Sequence, residues 1–261
     1  MPIETKLQRA VLATIAVLTL AACCSPPSST GGTPVATTGE TYRYTRSEVG
    51  WLLGGSGRYM VLAPQDREIW IAPDGSGRLK VTRHNPVFFG QNDRAEWAHQ
   101  TVAGVADDAR MPGQLGYTDL SSVPTEPTAL RAAIIAGIDR TAPDGESDDY
   151  DVLKAARDYL WETVPPVALR RAIFDMLMAS PGIPHRAARD RLGRSGTAFS
   201  IDSSRGTRTR LTTILARDQG LLGEEQTLLD HDDAIDATPP VVIGYATYLD
   251  AQLVGTTEDV K

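Results

Sequence analysis

Glu68-Ile69-Trp70-Ile71-Ala72-Pro73-Asp74-Gly75-Ser76-Gly77-Arg78-Leu79-Lys80-Val81 reads as the tip of a β-hairpin. An apolar, β-forming run stops at Pro73. Asp-Gly-Ser-Gly supplies the positive φ that a tight turn needs, and a second extended run leaves after Arg78. Upstream, residues 41–53 place Tyr42 and Tyr44 on one face and Arg43 and Thr45 on the other, the period of a half-buried strand. Gly54-Gly55-Ser56-Gly57 predicts a turn. Residues 58–72 predict a second strand, interrupted at Pro64-Gln65-Asp66, and residues 78–89 a third. Strands joined by such short loops should form an antiparallel meander.

Beyond this meander the pattern changes. Residues 92–105, with Trp97, Val102 and Val105 among charges, suit a short helix, and 111–127 are irregular. Residues 126–140 form a helical stripe of Leu130, Ile134, Ile135 and Ile138, with Pro124 or Thr125 at its start. A polar turn at 141–148 precedes a helix at 148–163 built on Val152, Leu153, Ala156, Tyr159 and Leu160. Pro165-Pro166 ends it and starts another, with Leu169, Ile173, Phe174, Met176 and Leu177, which stops at Pro181-Gly182. Strands return at 183–192, 197–202, 207–217, 221–229 and 241–254, and the tail at 256–261 is polar. Strands, then helices, then strands favour α+β over alternating α/β. The expectation is one domain at 41–255 with a helical insertion at about 92–181. Its antiparallel sheet should curl into an open half-barrel around an apolar hollow.

The N-terminus points to a compartment. Lys6 and Arg9 precede an apolar run from Ala10 to Ala22 that ends in Leu20-Ala21-Ala22-Cys23, the shape of a secretory signal peptide at 1–22. As a helix this run reaches only about 20 Å, short of the ~30 Å hydrocarbon core of a bilayer. Leu-Ala-Ala-Cys resembles the lipobox of bacterial lipoproteins, and that resemblance makes Cys23 the lipidated new N-terminus. Small side chains admit the peptidase, and a thiol can carry a thioether lipid. Residues 25–40 are a Ser-Pro-Thr-Gly tract that cannot bury enough surface to order itself, so 23–40 reads as lipidated cysteine plus flexible linker. The implied location is the extracytoplasmic face of the cell membrane. Cys23 and Cys24 are adjacent and the chain has no other cysteine, so the folded part has neither disulfide nor thiolate metal site. The net charge of -7 argues against nucleic acid as a partner.

Several segments in fixed order resemble an uncharacterised actinobacterial family of membrane-anchored extracytoplasmic proteins. They are Tyr42-x-Tyr44 with Trp51, the hairpin stretch itself, Val123-Pro124-Thr125-Glu126-Pro127-Thr128-Ala129-Leu130-Arg131, and Val164-Pro165-Pro166 with Leu169-Arg170-Arg171-Ala172. Pro181-Gly182-Ile183, Asp190-Arg191-Leu192-Gly193-Arg194-Ser195-Gly196 and Asp218-x-Gly220-Leu221-Leu222-Gly223-Glu224 complete the set. Members are often encoded beside extracytoplasmic-function sigma factors. The resemblance implies a half-open barrel similar to periplasmic lipoprotein carriers and to sensors that restrain anti-sigma factors. Here a lipobox stands where members have a cytoplasmic region and membrane helix.

The residues that carry chemistry are sparse. His84, His99, His185 and His231 are scattered without metal-ligand spacing, and the acidic run Glu146, Asp148, Asp149 and Asp151 lacks the glycine and terminal glutamate of a calcium loop. The glycine-rich stretches are not followed by Lys-Ser/Thr, and no nucleophile elbow occurs. The expectation is no catalytic residue, no metal and no cofactor. Asp74 and Arg78 flank the main turn, as turn caps or as a partner contact. Trp51, Trp70, Trp97 and Phe199 are the candidate binding residues, against the commoner role of aromatics as core. Two readings follow: a non-enzymatic surface lipoprotein holding an apolar ligand or protein segment in the concave face of its sheet, or an envelope sensor that binds another membrane protein. An enzyme would need titratable groups converging in a cleft. Mass spectrometry of the membrane-fraction protein should find a chain starting at a diacylglyceryl-modified Cys23, and Cys23→Ala should release it to the soluble fraction. An unmodified Cys23 would remove the anchor.

Overall fold

The computed structural model describes residues 41–55, 59–97, 104–138 and 146–259. The expected leader, Cys23 and linker lie outside the described residues, as do Ser56-Gly57, Val102 and most of the polar turn at 141–148.

The first meander is present. β1 (Tyr42–Gly55) pairs with β2 (Tyr59–Ile71), and β2 with β3 (Gly77–Arg83), all antiparallel. At the quoted turn, Ala72 N donates to Ser76 O and Gly75 N to Ala72 O, both at 2.9 Å. The Asp74 carboxylate accepts from Ser76 N at 2.8 Å. Gly54 and Gly55 prolong β1 rather than turning. β2 runs unbroken through Pro64, contrary to the expected interruption. Pro64 O accepts from His84 N at 3.0 Å, so its nitrogen also faces that side, in the gap where β3 has ended and the short β4 (Val87–Phe88) has yet to pair with β2. A proline costs no ladder bond there. His84, Asn85 and Pro86 likewise divide the expected third strand into β3 and β4.

α1 spans Gln91–Trp97 among the described residues, and Val105, expected in that helix, belongs to a strand, β5 (Gly104–Arg110), which pairs with β3 from Gly77↔Arg110 to Arg83↔Gly104. The helical block is therefore α2 (Pro127–Gly137), α3 (Asp148–Asp158) and α4 (Val167–Met178). Glu126, not Thr125 or Pro124, caps α2, accepting from Thr128 N at 2.9 Å and Ala129 N at 2.7 Å. Ser147 caps α3, with Asp148, Asp149 and Asp151 in its first turn, where the helix dipole favours negative charge. α3 stops short of Thr163: it ends at Asp158 with Tyr159 as its C-cap, and the chain turns on through Glu162 at φ 50°.

The second meander, β6 (His185–Arg189), β7 (Ser195–Asp202), β8 (Thr209–Ala216), β9 (Gly220–Leu228) and β10 (Val241–Val254), returns to the first. β10 pairs antiparallel with β1 from Tyr42↔Val254 to Gly50↔Tyr245. One open ten-stranded sheet results, in the order β5-β3-β2-β1-β10-β9-β8-β7-β6 with β4 beside β2.

Alternation divides the sheet into two faces. Val49 and Trp51 of β1, Ala246 and Tyr248 of β10, Leu221 of β9, Leu215 of β8 and Phe199 of β7 face the helices. There Leu130, Val152, Leu153, Leu169, Ile173 and Leu177 are all at 1% exposure or less. The opposite face carries Tyr42, Tyr44, Trp70 and Val254 at one end, and Leu228, Ile235 and Ile243 form a further cluster. The turn of the β6–β7 hairpin folds back over this face. The Arg191 guanidinium lies 3.8 Å above the Tyr245 ring, and Arg194 donates to Leu222 O at 2.8 Å.

Gly77 is where the hairpin turn admits no side chain. Its φ is +151°, and a Cβ there would fall 1.8 Å from the carbonyl oxygen of Trp70. Gly77→Ala should cost on the order of 3 kcal/mol in urea unfolding. Gly104→Ala, at φ +148° with nothing within 4 Å, should cost only the backbone strain, about 1 kcal/mol.

Candidate functional site

A polar row crosses the centre of the helix-facing side of the sheet. Ser47 of β1 stands opposite Arg67 of β2 and opposite Tyr248 of β10. On β9, Glu224 stands opposite Ala246 of β10 and Thr213 of β8. The sheet registers thus line up Arg67, Ser47, Tyr248, Glu224 and Thr213 beneath the helices. The end of α3 and the chain after it lay Arg157, Trp161 and Glu162 over the row. Arg67 Nη2 is 3.1 Å from Glu162 Oε1, and Arg157 Nε is 3.6 Å from Glu224 Oε2. Trp161 meets the Tyr248 ring edge-on at 5.2 Å between centroids, and Trp51 packs on Trp161 at 5.6 Å.

This belt is enclosed. The Glu224 side chain is 8% exposed, and Thr213 is wholly buried. Its pairing is incomplete: Tyr248 OH, Thr213 Oγ1, Arg157 Nε and Glu224 Oε2 have no hydrogen-bond partner. Burial pushes the Glu224 carboxyl above its ordinary range, with Arg157 pulling the other way. Burial raises Glu162 as well, opposed by Arg67. Burial next to both carboxylates lifts the Tyr248 hydroxyl far up. Arg157 Nε also lies 3.0 Å from Asp158 Oδ1, so three carboxylates share two guanidinium groups. Enclosed ion pairs of this kind add little net stability but penalise wrong alignments, because a slipped layer leaves an uncompensated charge. The belt therefore acts as a register key between the helices and the sheet.

The expected binding residues do not converge on one site. Trp51 and Phe199 share the cluster under the helices, where Phe199 is wholly buried and meets Phe174 of α4 edge-on at 5.6 Å. Trp70 lies on the opposite face, 3% exposed, against Tyr44 at 5.0 Å and the Arg78 guanidinium at 5.2 Å. Trp97 ends α1, half-buried and in neither cluster. Of the residues flanking the hairpin turn, Asp74 caps it. Arg78 binds Asp107 of β5 through both carboxylate oxygens at 2.8 Å and Glu258 at 3.0 Å. Sequence reasoning missed Arg157, Trp161, Glu162, Glu224 and Tyr248. A glutamate at the inward phase of the apolar β9 run was the available signal.

Two kinds of surface remain accessible. Phe89, His231, Asp236, Ala237, Thr238 and Pro239 line an open cleft of about 480 Å³. The sheet also ends in two strands with a neighbour on one side only, β5 and β6. Compared with models of known protein families, with curated proteins and with solved structures, the chain gave no match.

The belt makes a pH prediction. Above 4.5, the ordinary value for glutamate, the unfolded chain releases the Glu224 proton more readily than the folded one. Stability contributed by this group therefore falls as pH rises from there to the raised folded value. Glu224→Gln should flatten that slope in urea unfolding measured from pH 5 to 8. An unchanged slope would place the titration elsewhere.

Proposed function

We infer that this domain is a non-enzymatic binding module, lipid-anchored through Cys23 on the outer side of the cell membrane, whose ligand is a segment of another protein. One observation carries the reading. The sheet face that would cradle an apolar ligand is filled by the protein's own α2, α3 and α4, through Leu130, Leu153, Leu169, Ile173 and Leu177. The open cleft and the strand edges are left as surfaces for recognition. The non-enzymatic reading draws support from the belt, whose ionisable groups act on one another beneath the helices. The carrier-like reading keeps a structural footing in the arrangement of three helices over an open antiparallel sheet, and it requires those helices to lift.

Native mass spectrometry separates the two. The purified domain should fly at the mass of the polypeptide alone. A stoichiometric acyl-chain ligand, recovered by solvent extraction, would replace this reading by the carrier reading.

A further inference from the structure

The edge strand β6 is built to receive another strand. Ser200 N donates to Pro184 O and Asp190 N to Arg194 O, both at 3.0 Å, and between them Arg186 stands opposite Ala198 and Ala188 opposite Gly196. Residues directly opposite in an antiparallel pair alternate between bonded and non-bonded positions. The backbone groups of Pro184, Arg186, Ala188 and Asp190 therefore point towards β7. Those of His185, Ala187 and Arg189 point away from it, along the free edge. β6 is the last strand of the sheet, and His185, Arg186, Ala187 and Arg189 are exposed.

The charge of this edge is basic although the chain is acidic overall. Arg186 has no acidic partner among the described residues. Asp190, the carboxylate nearest in sequence, is turned inward, with its side chain 1% exposed and held by Arg194 at 2.6 Å. Arg191 is turned towards Glu225, at 3.5 Å. Arg186 is thus left without a partner among the described residues, whereas Arg189, on the other face of the sheet, donates to Gly193 O within the hairpin turn. Ala187 between them offers backbone with almost no side chain in the way. The opposite edge, β5, is different in kind, carrying Asp107 and Asp108. Charges on an edge guard against pairing with like-charged strands, and the same charges select a partner of opposite sign.

We propose that β6 captures a short, extended, acidic segment of a partner protein by strand addition, through the outward backbone groups of His185, Ala187 and Arg189, with Arg186 reading its carboxylates. This mode draws affinity from main-chain bonds and specificity from the flanking side chains. The proposal rests on the reading of the domain as a binder of protein segments, yet it can fail alone. A partner crosslinked at the cleft or at β5, and not at β6, would leave that reading standing and remove this one.

The test uses the domain at 41–261 and the peptide acetyl-Thr-Glu-Val-Glu-Val-Glu-Thr-amide, with a version carrying lysine for each glutamate as its counterpart. In isothermal titration the acidic peptide should bind and the lysine peptide should not, with affinity falling as salt is raised. Ala187→Pro removes one outward N–H and spares the β6–β7 ladder, so it should weaken binding at least tenfold while leaving the unfolding midpoint in place. Arg186→Glu should do the same through charge, and it decides the matter if the proline variant proves unstable. Equal binding of both peptides, no binding of the acidic one, or affinity unchanged by the arginine replacement would overturn the proposal. So would concentration-dependent self-association that Ala187→Pro abolishes, which would make a second copy the occupant.

Discussion

The pairing of β1 with β10 is the constraint on which everything else depends. These are the first and last strands of the domain, and their register from Tyr42↔Val254 to Gly50↔Tyr245 joins two meanders that are otherwise local. Each meander alone would expose an edge beside its most apolar strand. Joined, they bury β1 and β10 at the centre and move the edges out to β5 and β6, which carry charge. The shift in register between Arg46 and Ser47 lets β10 follow β1 while its inward side chains stay inward. Gly50 completes the joint. A Cβ there would fall 2.3 Å from the Tyr245 ring, so only glycine lets that ring lie across β1 and reach Glu48 with its hydroxyl at 3.0 Å.

The helices sit on this sheet for two unequal reasons. Burial supplies the energy: each wholly buried leucine or isoleucine contributes about 1.5–3 kcal/mol, and α2, α3 and α4 each bring at least one. Such contacts are not directional, and an apolar layer alone could slide. The belt of Arg67, Glu162, Arg157, Glu224 and Tyr248 is directional and imperfectly bonded. An unpartnered buried polar atom costs about 1–3 kcal/mol, so the belt reduces the net gain while fixing the alignment. Tyr248 is the hinge of the arrangement, since the same ring packs on Trp161 and lies between the two carboxylates.

Helices cover one face of the sheet and the β6–β7 turn covers part of the other, which leaves the strand edges at the periphery open. Strand addition needs no cavity and little rearrangement of the host sheet. The two ends of the sheet differ: on β5 Asp107 is bound by Arg78 and Asp108 lies beside Arg110, whereas β6 carries Arg186 and Arg189.

The sequence by itself determined the local elements. Asp-Gly-Ser-Gly makes a turn wherever it stands, the stripes at 126–140, 148–163 and 165–178 make helices, and the return of β-branched runs after Pro181 makes strands, because each depends on torsion preferences and periodicity within a few residues. Only the tertiary structure decided the rest. β5 became a strand, despite Asp107 and Asp108, because β3 offered an edge. Pro64 stayed inside β2 because its nitrogen fell in a gap between neighbours. Phe199 and Trp51 went under the helices while Trp70 went to the other face. Glu224 reached Tyr248 and Arg157 because strand registers, which no local pattern encodes, placed them side by side.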